Sequence, residues 1–181
     1  MADRDAITDT LQAGLTVFRT EAVDLSDSAP DRLDRADEPA AFDGPEEFAG
    51  FETLDAYEQE LVWRLWILDD APFGLALSGP AFQDNPIIYA NRTFREMTGY
   101  SLSEVRGENL RLLQGPATED APVADLREAI DIWEAVTVEL QNYRKDGTQF
   151  RNRVSLLPID GPSGTISNWI GVQEVVDSPR E

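Results

Sequence analysis

The sequence predicts an α+β domain carried behind a helical N-terminal extension. Three observations lead there. Across residues 73–133, two short strand patterns are followed by three short helices and one longer helix. Residues 135–176 then read as three strands in series, the first two joined through Asp146-Gly147, a strong hairpin signal. At 181 residues the chain has room for one domain of ordinary size plus an arm. The segments implied are an acidic arm over 1–50, a cap helix within 51–71, the domain over 72–177 and a short tail over 178–181.

The arm begins with Ile7, Leu11, Leu15 and Phe18, spaced as the stripe of an amphipathic helix over residues 6–19. Asp3 and Asp5 lie near its positive end, and Gly14 weakens it. Residues 20–48 are rich in Asp, Glu, Ala and Pro, and with Pro30, Pro39 and Pro45 they read as an acidic linker. Residues 53–68 put Leu54, Tyr57, Leu61, Leu65 and Leu68 on one helical face and Val62, Trp63, Trp66 and Ile67 on the other. A helix apolar nearly all round must be covered, either by its own domain or by a partner chain as well. Pro72 stops it.

Residues 73–77 and 87–90 read as short strands with 80–86 as the loop between them. Helices are predicted over 91–97 and 102–105, separated by Gly99-Tyr100, and the helical turn GENLRLLQ follows at 107–114. Thr118 or Asp120 can cap the longer helix, whose stripe is Val123, Leu126, Ile130 and Trp133, with Arg127 beside it. The three closing strands are 135–144, 149–159 and 165–176.

Composition removes whole classes of function. Acidic residues number 35 against 15 basic ones, a net charge of −20, so nucleic acid and anionic membranes are poor partners. Acidity spread along the chain is the pattern of proteins from salt-loving microbes, where screening removes much of the self-repulsion. Cysteine and histidine are both absent, which excludes disulfides, thiol adducts, histidine phosphorelays and most zinc sites, and no metal site is expected. The N-terminus has neither the basic start nor the apolar run of a signal peptide, and no stretch approaches the roughly twenty apolar residues of a membrane span. A cytoplasmic protein is expected.

The polar residues of the last strands face the wrong way. Val136, Val138 and Leu140 share a face with Asn142, and Phe150, Val154 and Leu156 share one with Asn152. A buried, unpaired amide costs about 1–3 kcal/mol, so each needs a partner. Either asparagine alone is consistent with a bond to turn backbone near a strand end. Taken together, and with Gln173 on the third strand, they point to a heterocycle.

In element order, residues 73–176 resemble a PAS domain, whose fold is a five-stranded antiparallel sheet with flanking short helices. GENLRLLQGPAT, Arg127 within VADLREAI, QNYRKDG, Asn152 and the closing NWIGVQ are similar to the flavin-binding light-oxygen-voltage (LOV) subfamily. The resemblance implies that the turn carrying Leu110 packs over a flavin ring. It places Asn109 and Gln114 on the ribityl and phosphate side, with Arg111 and Arg127 clamping the phosphate. Asn142, Asn152 and Gln173 would line the polar ring edge, with Gln173 near the nitrogen that gains a proton on reduction. Ser78 and Asn85 would sit on the pocket wall, and Leu113, Val154 and Leu156 would supply apolar surface. The short gap between Gln114 and the Arg127 helix favours FMN over FAD.

One departure decides the chemistry. The family's photoactive cysteine is fourth in the octapeptide, and here that position is Leu110. A leucine cannot form the adduct and no other cysteine replaces it, so flavin photoreduction to a radical, with hydrogen-bond rearrangement at Gln173, is the expected signal. Electron-donor candidates are Trp169, which shares alternation with Gln173, then Trp133, Tyr143 and Tyr89. Few residues follow 176, so output is expected through the N-terminal helix or an interface on the sheet, to a homodimer mate or a signalling partner, without enzymatic activity. The alternative is a PAS-type dimerisation or interaction module that no longer binds flavin. A flavin-dependent oxidoreductase finds no nicotinamide site and no histidine acid.

Overall fold

Period-two alternation in the strands builds a sheet with two different faces. The computed structural model describes residues 3–176; the predicted tail over 178–181 and the last residue of the predicted domain lie outside the described residues. Strands β1 (Gly74–Ser78), β2 (Ile87–Ala90), β3 (Val136–Tyr143), β4 (Gln149–Asp160) and β5 (Ile166–Val175) form one antiparallel sheet in the order β2-β1-β5-β4-β3. The β3–β4 turn works as its sequence predicts. Gly147 takes φ +86, which only glycine adopts freely, and the Asp146 carboxylate accepts the Thr148 N–H at 2.9 Å. Register pairs Val138 with Val154 and Val154 with Gln173, so Leu140, Asn142, Asn152, Leu156, Trp169 and Ser78 all share the inner face. Leu75, Leu77, Leu157, Ile159, Ile170 and Val172 fall on the outer face and join the larger apolar core.

The arm covers that outer face. Helices α1 (Arg4–Gln12), α2 (Leu15–Leu25), α3 (Ala29–Arg35) and α4 (Ala56–Ile67) precede the sheet. The single helix predicted over 6–19 is two helices, because the backbone is extended at Ala13 and Gly14 (ψ 156 at each). The acidic linker predicted over 20–48 is corrected more fully: α2, α3 and a 3-10 turn at Pro39–Ala41 occupy much of it. Pro30 and Pro39 sit in the first turns of their elements, where no intrahelical N–H bond is lost. Ala22, Ala29, Ala36, Phe42 and Phe48 are too widely spaced to read as a stripe, yet all are buried.

These residues cover α4. Trp63 is fully buried, with its Nε1 donating to Ala36 O at 3.0 Å and its ring 5.3 Å from Phe18. The Trp66 ring lies 4.7 Å from Phe42, under the guanidinium groups of Arg32 and Arg35. The chain's own arm therefore supplies the cover that an all-round apolar helix demands. Just beyond α4, Asp69 accepts hydrogen bonds from Tyr89 Oη at 2.6 Å, Arg92 N at 3.0 Å, and the side chains of Arg32 and Arg95.

Helices α5 (Arg92–Thr98), α6 (Leu102–Val105) and α7 (Asp120–Ile132), with a 3-10 turn at Leu110–Leu113, lie between β2 and β3. Asn91 caps α5 by accepting Phe94 N–H at 3.0 Å and also accepts Leu75 N–H at 2.8 Å, pinning that helix to β1. Neither Thr118 nor Asp120 caps α7. Glu119 takes the cap position, while Thr118 donates to Gln141 O at 2.6 Å and accepts Gly115 N–H at 3.0 Å, fastening the connector to β3. No helix among the described residues is long and apolar enough to cross a membrane.

Candidate functional site

Between the inner face of the sheet and the Leu110–Leu113 turn with α7 lies a cavity of about 360 Å³. The sheet contributes Leu140, Val154, Leu156 and Trp169, the turn contributes Leu110 and Leu113, and α7 contributes Val123, Leu126 and Ile130. Together these make an apolar slot. The polar residues reach it from different elements, with Asn142, Asn152 and Gln173 on the strands, Asn85, Asn109, Arg111 and Gln114 on the loop and turn segments, and Arg127 on α7; Ser78 also lines it. Every ligand-contact position expected from the sequence lines this one space. Sequence reasoning assigned no ligand role to Leu140, Val123, Leu126 or Ile130, whose alternation or helical spacing reads as core. It missed Asp84 altogether.

The strand amides are buried. Asn142, Asn152 and Gln173 are 3%, 0% and 1% exposed. Asn152 Nδ2 donates to Asn142 Oδ1 at 2.9 Å, and Asn142 Nδ2 donates to the neighbouring strand carbonyl Gln141 O at 3.3 Å, so neither amide bonds the backbone of the β3–β4 turn. Asn152 Oδ1 and both polar atoms of Gln173 have no hydrogen-bond partner. Burial without a partner is costly, which marks these atoms as facing something other than protein. A Cβ at Gly171 would lie 2.9 Å from Gln173 Nε2 and 3.2 Å from Leu110 Cδ1. The bare glycine thus lets the leucine and the glutamine meet over β5.

The Arg111 side chain is open to solvent. Arg111 Nη1 donates to Asp84 Oδ1 at 2.8 Å and Nη2 bonds the other carboxylate oxygen. This pair holds the Asp84 carboxyl below its ordinary range and raises Arg111. Asn109 Nδ2 donates to Asp84 O at 2.7 Å, and Asn109 Oδ1 accepts Arg111 N–H at 2.9 Å. Arg127 is exposed on α7. Just outside the cavity, the Gln141 amide and then Arg151 lower Glu119 to about 2, which secures the start of α7 on β3.

Of the four proposed electron donors, Trp169 alone lines the cavity, 2% exposed and on the Gln173 face. Tyr89 is corrected to the outer face, because it pairs with Leu77 in register; its hydroxyl goes to Asp69 and its ring stacks 6.3 Å from Phe48. Trp133 ends α7 in a left-handed conformation (φ 58), 64% exposed, and so leaves the helix stripe on which it was expected. Tyr143 lies over Gly115, where even a Cβ would clash at 2.4 Å, and accepts Ala117 N–H at 2.7 Å. It clamps the connector from outside the cavity.

Residues 74–174 match the family model described as PAS domain. Over 106 residues the chain is 44% identical to the bacterioopsin transcriptional activator of Halobacterium salinarum, which covers 59% of this chain and 16% of that protein. Over 90 residues it is 49% identical to a blue-light-activated histidine kinase of Rhizobium johnstonii, covering 50% of this chain and 26% of the kinase. The chain therefore spans far less than two thirds of these curated relatives. Among solved structures, a light-oxygen-voltage domain studied with a flavin analogue superposes with a TM-score of 0.56 at 42% identity, over 58% of this chain and 78% of that one. The LOV domain of a blue-light activated histidine kinase from Erythrobacter litoralis gives 0.56 at 37% identity, over 59% and 98%.

Proposed function

The chain belongs to the PAS domain family, with light-oxygen-voltage domains among its relatives, and from that premise we propose that its cavity binds a flavin and that it senses blue light or redox state. The observation that carries this reading is the set of orphaned amide atoms on Asn152 and Gln173, buried in the wall of an apolar slot. Each unmade bond costs about 1–3 kcal/mol, a cost removed by a flat heterocycle with donors and acceptors along one edge. A cavity of about 360 Å³ is of the size that small ligands occupy. Leu110 and Leu113 on one side, with Val154 and Leu156 on the other, suit the faces of such a ring. Arg111 and Arg127 suit a phosphate. The short connector between Gln114 and α7, tied to β3 by Thr118, favours FMN over FAD.

A bound flavin supplies a blue-absorbing chromophore that becomes a strong oxidant when excited. The residues around it select among its reactions. Leu110 offers no sulfur, so a covalent photocycle is closed to this chain. Trp169 is the proposed donor, being the aromatic in the cavity wall. Gln173 carries both a donor and an acceptor, so its amide can turn when the atom it faces gains a proton.

Gln173 pairs with Gly74 across β5 and β1, and residues 68–73 alone separate Gly74 from the end of α4. Rearrangement at Gln173 thus acts on the strand that leads out of the cap helix. Output is conformational in this reading, through the arm or through the sheet face that the arm covers, to a homodimer mate or signalling partner. The acidity of −20 fits work at high salt.

Fluorescence titration of the ligand-free chain with FMN in high salt tests the reading. Tight binding with quenching is expected, and Asn152→Leu should weaken it by about tenfold, the loss of one well-made buried hydrogen bond. Absence of binding would leave the PAS-type interaction module as the account.

A further inference from the structure

Asp84 places a carboxylate on the guanidinium best suited to a ligand phosphate. Its two oxygens meet the two terminal nitrogens of Arg111, and both residues line the cavity with side chains more than half exposed. That two-pronged pairing is also the way phosphate oxygens engage arginine. The backbone that carries this carboxylate is held in place. Asp84 takes a left-handed backbone conformation (φ 67) and its N–H bonds Ala81 O at 2.9 Å. Asn109 then joins the two partners, donating to Asp84 O and accepting Arg111 N–H.

We propose that Asp84 is a built-in competitor for the ligand's phosphate, which sets how strongly this site prefers a phosphorylated flavin over an unphosphorylated one. The proposal rests on the flavin reading above. Asp84 brings one negative charge to Arg111, one of the two arginines that line the cavity, whereas a phosphomonoester brings about −1.5 to −2. The phosphate must therefore share Arg111 or displace Asp84 from it. Either way it adds less to affinity than two unopposed arginines would give, and riboflavin is disfavoured less.

The test compares FMN and riboflavin affinities in the whole chain and in Asp84→Asn, at low and at molar salt. Asparagine keeps the side chain's size and tolerates positive φ, so the variant removes the charge and little else. The preference for FMN over riboflavin should rise about threefold to fivefold at low salt, the worth of an exposed ion pair. The rise should shrink at molar salt. In an Arg111→Gln background, Asp84→Asn should change the preference no further. An unchanged preference, with both flavins bound, overturns the proposal and leaves the flavin reading standing. Failure of the unaltered chain to bind either flavin removes both.

Discussion

Leu110 occupies the point of the cavity where a thiol would change its chemistry. It lies over Gly171, beside the unpaired Gln173 amide, so a cysteine here would face the same space. Leu110→Cys is expected to restore a reversible adduct under blue light, seen as bleaching of the flavin band; flavin bound without adduct would show that the turn does not face the ring. The inward amides were legible because a period of two assigns every strand residue to a face, and Asn142, Asn152 and Gln173 broke the apolar rule on theirs. Asp84 was not, since an ion pair between a loop and a turn 27 residues apart leaves no local pattern. Tyr89 and Trp133 were misplaced for separate reasons. The β1–β2 register sends Tyr89 to the outer face, and a left-handed cap turns Trp133 outward.

The elements divide the work by face. Strands β3, β4 and β5 with α7 and the Leu110–Leu113 turn make the cavity, while α1 to α4 cover the other side of the same sheet. Strands and helices of the domain were legible because strand alternation, helical spacing and the Asp146-Gly147 turn agreed. The arm was not. Its apolar residues come singly among acids, and its prolines look like breakers until their place in first turns is known. The hub joining arm to domain is Asp69, 4% exposed in its side chain, with Arg32 on α3 and Arg95 on α5. Removing one partner from a buried ion network leaves charge uncompensated and costs about 3–5 kcal/mol. Asp69→Ala should therefore destabilise the chain by about that much in denaturant unfolding, with α3 and α4 losing hydrogen-exchange protection first. Loss confined to β3 and β4 would contradict this docking.

Across the whole molecule, one layer of strands separates the inner-face cavity from a docked helical arm, and β5 belongs to both. Val172 and Ile170 pack outward into the arm's core while Gln173 and Trp169 point inward. That back-to-back arrangement gives a change at one amide a short path to the surface. Arm docking rests on buried aromatic and ion-network contacts more than on surface pairs, which are worth little and weaken further with salt. The most direct test is the absorption spectrum of the purified chain in high salt, before and after blue light with a mild reductant. A yellow protein whose flavin band is lost through reduction, with no adduct formed, is the predicted result. A colourless protein, or a light-induced covalent adduct in the unaltered chain, would contradict it.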